Sequence, residues 1–130
     1  MTARYTHQRS AIVDALHNAG GPLRPLDILR IASKQVPSLG LATVYRHLKQ
    51  LQASGEIHAV EFCGREVRYE STDRGHHHHF LCRACGEAFD LNGCPEGISK
   101  LVPPGFEVSD HELTLLGRCP DCVASNQDES

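Results

Sequence analysis

Apolar residues recur at helical spacing in three segments of the first half of the chain. Apolar positions three and four residues apart in an otherwise polar segment are typical of an amphipathic helix. Thr6 is placed to cap the first helix, Pro25 to begin the second, and Gly55 to end the third. The predicted helices span residues 6–19, 25–36 and 41–54.

Two strand-like runs follow the third helix. IHAVEF (57–62) and VRYE (67–70) flank a turn at Cys63-Gly64 and predict a hairpin. Three short helices followed by a hairpin predict a winged helix-turn-helix, whose third helix enters the major groove of DNA.

The second half of the chain has shorter and less regular patterns. The polar, turn-forming residues STDRG predict a hinge, and the residues after it fit a small domain of strands and one short helix. Its predicted strands are 80–82, 87–91 and 106–116, the last with a bulge, and its helix lies near 95–102. We therefore predict an α+β protein with a winged-helix domain (1–70), a hinge (71–75), a small α/β domain (76–122) and a flexible tail (123–130).

Composition excludes several classes of protein. The 130 residues are 40% hydrophobic and 22% charged, and no apolar run is long enough to cross a membrane. The chain does not open with a signal-peptide pattern, so we predict a cytoplasmic protein. Aromatic residues make up only 5%, which argues against a stacking platform for single-stranded nucleic acid.

Charge divides the chain. Residues 1–70 hold nine basic and six acidic side chains, a net charge of +3, whereas residues 71–130 hold four basic and ten acidic ones, a net charge of −6. Only the first half therefore suits a polyanion such as DNA.

The third helix supplies the candidate DNA contacts. Its apolar residues Val44, Leu48 and Leu51 share one face and leave polar side chains on the other. Arginine can pair with guanine through two hydrogen bonds, and threonine suits a phosphate. The candidates are Thr43, Tyr45, Arg46, Lys49 and Gln50. A merely solvated helix face is the alternative.

Four of the six cysteines form two CxxC pairs, Cys82/Cys85 and Cys119/Cys122. Two residues between thiolates let both sulfurs bind one ion, and four thiolates complete a tetrahedral zinc site. The sequence therefore predicts a structural zinc ion; redox-active dithiols or free thiols are the alternative.

The tract His76–His79 lies just before the first CxxC pair. In an extended strand alternate side chains face opposite sides. His77 and His79 would then serve one metal site, and His76 and His78 another. A solvated tract that binds metal adventitiously is the alternative.

The order of these motifs resembles the ferric uptake regulator family of bacterial metalloregulators over about residues 3–122. The residues that carry the resemblance are TxxR (6–9), GLATVYRHL (40–48), RYE (68–70), HHHHFLCRACG (76–86), HELTLLGRC (111–119) and CPDC (119–122). The resemblance implies a homodimeric transcription factor, in most members a repressor, in which metal at the hinge closes the dimer onto a palindromic operator in double-stranded DNA.

The resemblance also implies three metal sites. Its four-cysteine site corresponds to the two CxxC pairs. Its regulatory site corresponds to His77, His79, Glu70 and Asp90. A further site corresponds to His76, His78, His111 and, with a shift of one residue, Glu96.

The chain departs from the pattern of iron-sensing members. Pro22 stands near the position where they place a histidine ligand. His58 and Cys63 on the wing are candidate replacements, and a set that includes a thiolate favours Zn²⁺ over Fe²⁺. We therefore predict a zinc-responsive regulator, with an iron-responsive one as the alternative. Cys94 matches no ligand of the family, and we expect it to be a small buried residue.

Two other classes of protein compete with a regulator. A zinc hydrolase or deaminase needs an open metal position beside a general base, and the deaminase pattern H-x-E with P-C-x-x-C does not occur in the chain. The sequence therefore predicts no enzyme. A metal-buffering module without DNA binding is the other alternative.

Overall fold

A computed structural model of the chain describes residues 3–62 and 65–129. The chain divides into two compact units, Met1–Gly75 and His76–Ser130, and each is described by itself. Within the described residues, no helix has both the length and the apolar character needed to cross a bilayer.

Three helices form most of the first unit: α1 (Ala3–His17), α2 (Pro25–Ala32) and α3 (Leu41–Ala53). The prediction that Thr6 caps α1 was wrong, because the helix already includes the three preceding residues. Helix α2 ends four residues earlier than predicted. The amides of Lys34 and Gln35 bond to carbonyls only three residues back, which tightens the chain into a turn.

Helix α3 ends as the sequence predicted. Gly55 adopts φ +81°, a left-handed conformation that costs glycine little. The amide of Gly55 bonds to the carbonyl of Gln52, and that of Glu56 bonds to the carbonyl of Leu51. These two bonds form a Schellman motif that satisfies the last carbonyls of the helix.

The wing of the first unit is the antiparallel pair β1 (Ile57–Val60) and β2 (Arg68–Ser71). The predicted turn at Cys63-Gly64 lies outside the described residues. Leu23 adds a third, bridge-like partner, because its amide and carbonyl both bond to Tyr69 of β2. The wing is thereby joined to the segment that connects α1 and α2.

Apolar side chains of all three helices and of β1 form one core in the first unit. Ile12, Ile28, Val44, Leu48 and Leu51 are at most 1% exposed. Burial of side chains of this size contributes about 1.5–3 kcal/mol each. The helical faces predicted from apolar spacing are the faces that pack.

Residues 71–75 are fastened to the first unit. Ser71 closes β2, and a short 3-10 helix, Thr72–Arg74, follows it. The Thr72 hydroxyl donates to the carbonyl of Gly55, and the Arg74 guanidinium donates to the carbonyls of Leu16 and Ala19. The predicted hinge segment thus belongs to the first compact unit.

The second unit is a three-stranded sheet followed by a short helix. Strand β3 (His78–Cys82) lies at the centre, antiparallel to β4 (Ala88–Leu91) and parallel to β5 (Thr114–Gly117). Helix α4 (Pro120–Ala124) then extends two residues into the segment predicted to be a tail.

The chain between β4 and β5 differs most from its prediction. The helix expected near 95–102 is a single 3-10 turn, Ile98–Leu101, and the strand expected over 106–116 begins only at Thr114. Apolar residues such as Phe106 and Val108 are exposed, so they do not form the inward face that a packed strand would have.

Candidate metal centres and nucleic-acid interface

The two CxxC pairs meet in the second unit. Cys82 ends β3 and Cys85 lies in the knuckle after it, and Cys119 and Cys122 lie at the start of α4. The four sulfurs are all within 4.8 Å of one another, and Cys85 Sγ lies 3.8 Å from Cys119 Sγ. The five described cysteines are free thiols, so the pairs are not disulfides.

The knuckle has the backbone that such a site needs. Gly86 follows the first pair with φ +81°, and its amide bonds to the carbonyl of Cys82 at 2.8 Å. The turn thereby directs both thiols of that pair to the same side. The main-chain amides of Cys85 and Cys119 also point at Cys82 Sγ, at 3.5 and 3.3 Å.

The electrostatics of the cluster favour a cation. Burial would raise the pKa of Cys82, but these amide hydrogen bonds outweigh it and lower the pKa to about 6. Burial and the neighbouring thiols of Cys119, Cys82 and Cys85 raise the pKa of Cys122 to about 12. The cluster therefore stabilises one thiolate but not four, unless a divalent cation neutralises them. This set of four converging thiols, three of them buried, fits a structural zinc ion.

The predicted alternation of the histidine tract holds in the structure. His77 and His79 lie on one side, with ring centroids 4.8 Å apart, and both face Asp90 of β4. Asp90 Oδ1 lies 3.5 Å from His77 Nε2 and 3.7 Å from His79 Nε2. The three side chains are 8–14% exposed, so these donors form a compact, mostly buried group.

The other predicted regulatory ligands lie in the first unit. Glu70 of β2 is 1% exposed, and its Oε1 lies 2.7 Å from Nε2 of His58 on β1. The two residues are direct partners in the wing's register, which places their side chains on one face. Cys63, the remaining candidate, lies outside the described residues.

The other side of the histidine tract differs from its prediction in one ligand. His76 and His78 meet His111 as predicted, with ring centroids 4.8 and 4.9 Å from that of His111. The fourth member of this cluster is Cys94, not Glu96, within the residues that the structure describes. Cys94 is exposed, so its expected burial was wrong. No periodicity in the sequence could have identified it.

Burial makes His78 a suitable metal ligand. The residue is only 2% exposed. Burial, together with the neighbouring imidazoles of His76 and His111, lowers the pKa of His78. The ring is therefore held in the neutral form that a metal requires.

The outer face of α3 carries the predicted DNA contacts. Tyr45, Arg46, Lys49 and Gln50 are exposed, while Thr43 is partly buried. The Arg46 guanidinium lies 3.5 Å from Thr43 Oγ1, and Gln50 accepts a hydrogen bond from the Tyr5 hydroxyl of α1. One residue of this helix was missed: His47 is 1% exposed and contacts Gln8, so it belongs to the inner face.

Comparison with known proteins agrees with this arrangement. Residues 1–116 match the ferric uptake regulator family. The transcriptional regulator FurA of Mycobacterium tuberculosis is 30% identical over 131 residues, which cover 98% of this chain and 88% of that protein.

Two solved structures share the fold. A zinc-bound manganese uptake regulator superposes with a TM-score of 0.75 at 26% identity, covering 92% of this chain and 89% of that one. The iron-containing ferric uptake regulator of Francisella tularensis superposes with a TM-score of 0.71 at 27% identity, covering 95% and 93%.

A winged-helix unit joined to a small metal-binding α/β unit defines a metal-dependent DNA-binding regulator. The chain belongs to the ferric uptake regulator family. It is accordingly a metal-responsive transcriptional regulator and not an enzyme. The second unit corresponds to the dimerisation domain of this fold.

Proposed function

We propose that the chain is a zinc-responsive regulator, in most contexts a repressor of metal-homeostasis genes, that binds a palindromic operator as a homodimer. This proposal rests on the presence, in both compact units, of side chains that can bind a metal ion. His77 and His79 meet Asp90 in the second unit, and His58 meets Glu70 in the first.

In the proposed mechanism these two groups of donors share one ion. His77, His79 and Asp90 hold it from the second unit, while Glu70, together with His58 or Cys63, holds it from the first. A bound divalent ion supplies fixed angles between its ligands. Because the ligands come from both units, which meet in sequence at Gly75–His76, the ion fixes the orientation of the DNA-binding unit relative to the dimerisation unit.

Fixing this orientation raises affinity for DNA. The apparent affinity of a protein for DNA is its intrinsic affinity multiplied by the fraction of molecules in the binding-competent state. In a dimer the two α3 helices must reach major grooves about 34–36 Å apart, or a multiple of that distance. In the metal-bound dimer, most molecules already hold their α3 helices at this spacing before they meet the operator.

Two features support zinc as the effector. Imidazole and carboxylate donors suit Zn²⁺, and a thiolate from Cys63 would favour it over Fe²⁺. Pro22 has no side-chain donor at the place where the resemblance locates a histidine of iron-sensing members. Iron and manganese remain the rival effectors.

Metal specificity is tested by measuring DNA affinity against buffered free Zn²⁺, Fe²⁺ and Mn²⁺ without oxygen. The probe is a labelled duplex selected from a random pool by the zinc-loaded full chain. We expect Zn²⁺ to activate binding at the lowest free concentration. Activation by Fe²⁺ or Mn²⁺ at a lower concentration would overturn the zinc assignment.

The regulatory ligands are tested with His77→Ala. Allosteric coupling is typically about 5–150-fold, so the variant should lose a metal-dependent gain of that order in affinity for the duplex. It should remain a folded dimer by light scattering. The matched control, His17→Ala, removes an exposed imidazole of α1 and should keep the full gain. An unchanged metal response in His77→Ala would contradict the assignment.

A further inference from the structure

Three histidines and a cysteine of the second unit converge in a way that hydrogen bonding cannot explain. Nε2 of His111 lies 2.9 Å from Cys94 Sγ, 3.2 Å from His78 Nε2 and 3.3 Å from His76 Nε2. A ring nitrogen carries either one hydrogen or one lone pair, so it makes one hydrogen bond, not three. The two imidazole separations match ligands around a common centre, whereas the distance from Cys94 Sγ to His111 Nε2 must lengthen to about 3.6 Å when zinc binds.

The spacing of the nitrogens fits tetrahedral coordination. Ligand nitrogens about 2.05 Å from zinc, at the corners of a tetrahedron, are about 3.3 Å apart. The measured separations of His111 Nε2 from the other two imidazoles are 3.3 and 3.2 Å. The resemblance already implies a metal site on His76, His78 and His111. We propose that its fourth ligand is the Cys94 thiolate, which makes it a four-coordinate zinc site with three nitrogens and one sulfur.

The thiolate determines which metal the site takes. Soft thiolate ligands select zinc, whereas carboxylates suit Mn²⁺ and other hard ions. With Glu96 as the fourth ligand the site would tolerate manganese. With Cys94 in that place it discriminates against manganese.

The ion would also fasten a segment that has no core of its own. None of residues 92–113, all of which the structure describes, is buried in the single chain. Cys94 follows β4 and His111 precedes β5, so one ion joins both ends of this segment to the histidines at the start of β3. Metal binding of this kind contributes directly to ordering the chain.

Solvent reaches the site from one side. An open cleft of about 440 Å³ borders the cluster and is lined by His76, Cys94 and His111 together with Ile98 and Val108. A small alkylating reagent can therefore reach the Cys94 thiol when no ion holds it.

The ligand set is tested by cobalt spectroscopy on the full chain with Cys63→Ser as background and zinc kept at the four-cysteine site. Cobalt bound to a thiolate gives a near-ultraviolet charge-transfer band. We expect added Co²⁺ to produce this band, Cys94→Ser to abolish it, and the matched control Glu96→Gln to keep it. We also expect Cys94→Ser to weaken zinc binding by more than about 100-fold, because loss of a residue that only supports a ligand already costs about 10–100-fold.

A charge-transfer band that persists in Cys94→Ser would overturn the proposal. So would a weakening of zinc binding in Glu96→Gln as large as that in Cys94→Ser. His77→Ala should leave the band unchanged. Because these readouts involve no DNA, failure of this site and failure of the proposed hinge mechanism are distinguishable.

Ordering of the segment is tested by reactivity. We expect Zn²⁺, but not Mn²⁺ at the same free concentration, to slow iodoacetamide labelling of Cys94 and tryptic cleavage after Lys100. Both residues are exposed. Equal labelling of Cys94 with and without zinc would contradict the thiolate ligand.

Discussion

Individual residues of α3 differ sharply in environment although they are neighbours along the chain. Val44 is fully buried, the adjacent Tyr45 is 51% exposed, and His47 is again buried. Burial, and the nearby charges of Arg46 and Arg9, lower the pKa of His47. A neutral His47 leaves Arg46 as a main positive charge on the outer face of this part of the helix.

Arg46 is the residue of this face best suited to read a base. Its replacement by alanine should cost about 1–3 kcal/mol of affinity for the selected duplex, because a bidentate arginine–guanine contact is worth that much. Fluorescence anisotropy with specific and scrambled duplexes measures the loss. The charge-matched control, Lys100→Ala in the second unit, should bind as the unchanged protein does. Equal losses on both duplexes would identify Arg46 as a phosphate contact instead.

The histidines and Cys94 show what sequence can predict about single residues. Alternation along a strand depends only on local geometry, so the grouping of His76 with His78 and of His77 with His79 could be predicted. The position of Cys94 depends on the path of an irregular segment. The resemblance implied Glu96 in its place, and no local rule specifies that path.

Helix α2 begins with a charged arrangement that reinforces its start. Pro25 occupies the first turn, and Asp27 accepts hydrogen bonds from the main-chain amide and the side chain of Arg24. Burial alone would raise the pKa of Asp27. The hydrogen bonds from Arg24 and the charges of Arg24 and Arg30 outweigh burial and lower the pKa below its ordinary value of 3.8.

Asp27→Ala should therefore destabilise the first unit by about 1–2 kcal/mol at neutral pH, since the variant loses a helix-start acceptor. A lowered folded-state pKa means that the carboxylate stabilises the fold above its unfolded pKa. That contribution is lost as the pH falls through the folded pKa. Urea unfolding followed by circular dichroism should show a difference from the unchanged protein that shrinks in acid.

Asp14, an exposed carboxylate inside α1, offers a comparison. Asp14→Ala removes the same charge, but at a position that is not the start of a helix. It should change stability by less than about 0.5 kcal/mol. A pH-independent effect of Asp27→Ala would show that packing, rather than the carboxylate charge, is what the mutation removes.

At the scale of elements, prediction succeeded where a periodic pattern coincides with a core. Each of the three helices of the first unit buries one face, and the apolar residues of its sequence are spaced to lie on that face. The chain between β4 and β5 is largely exposed, so its apolar residues reflect no internal packing. A strand predicted over 106–116 was therefore too long by eight residues at its start.

The two units of the molecule are stabilised differently. The first has a continuous apolar core contributed by three helices and the wing. Among the described residues of the second, the buried apolar side chains are Leu81, Ala88 and three cysteines of the four-cysteine cluster. A small domain with so few buried residues commonly needs a metal ion, a disulfide or a partner subunit to remain folded, and the described cysteines are free thiols.

Cys119→Ser should therefore unfold the second unit or release it as a monomer while leaving most helical signal intact, because the helices of the first unit have their own core. Circular dichroism and light scattering measure the two effects. Ser99→Ala, which removes an exposed hydroxyl of the second unit outside the four-cysteine cluster, should remain a folded dimer. A soluble Cys119→Ser dimer with normal melting would contradict a structural role for the cluster.

The four residues before Phe80 are all histidines, and the pairing of Phe80 with Phe89 and Leu115 fixes which of them occupies each position of the tract. Loss of any one of them moves its upstream neighbours along by one position, so the identity of the deleted residue is immaterial. Gly75 then takes the place of His76. Deletion of one histidine therefore keeps imidazoles at positions 77 and 79, which face Asp90. It always removes the imidazole at position 76, on the side that faces Cys94.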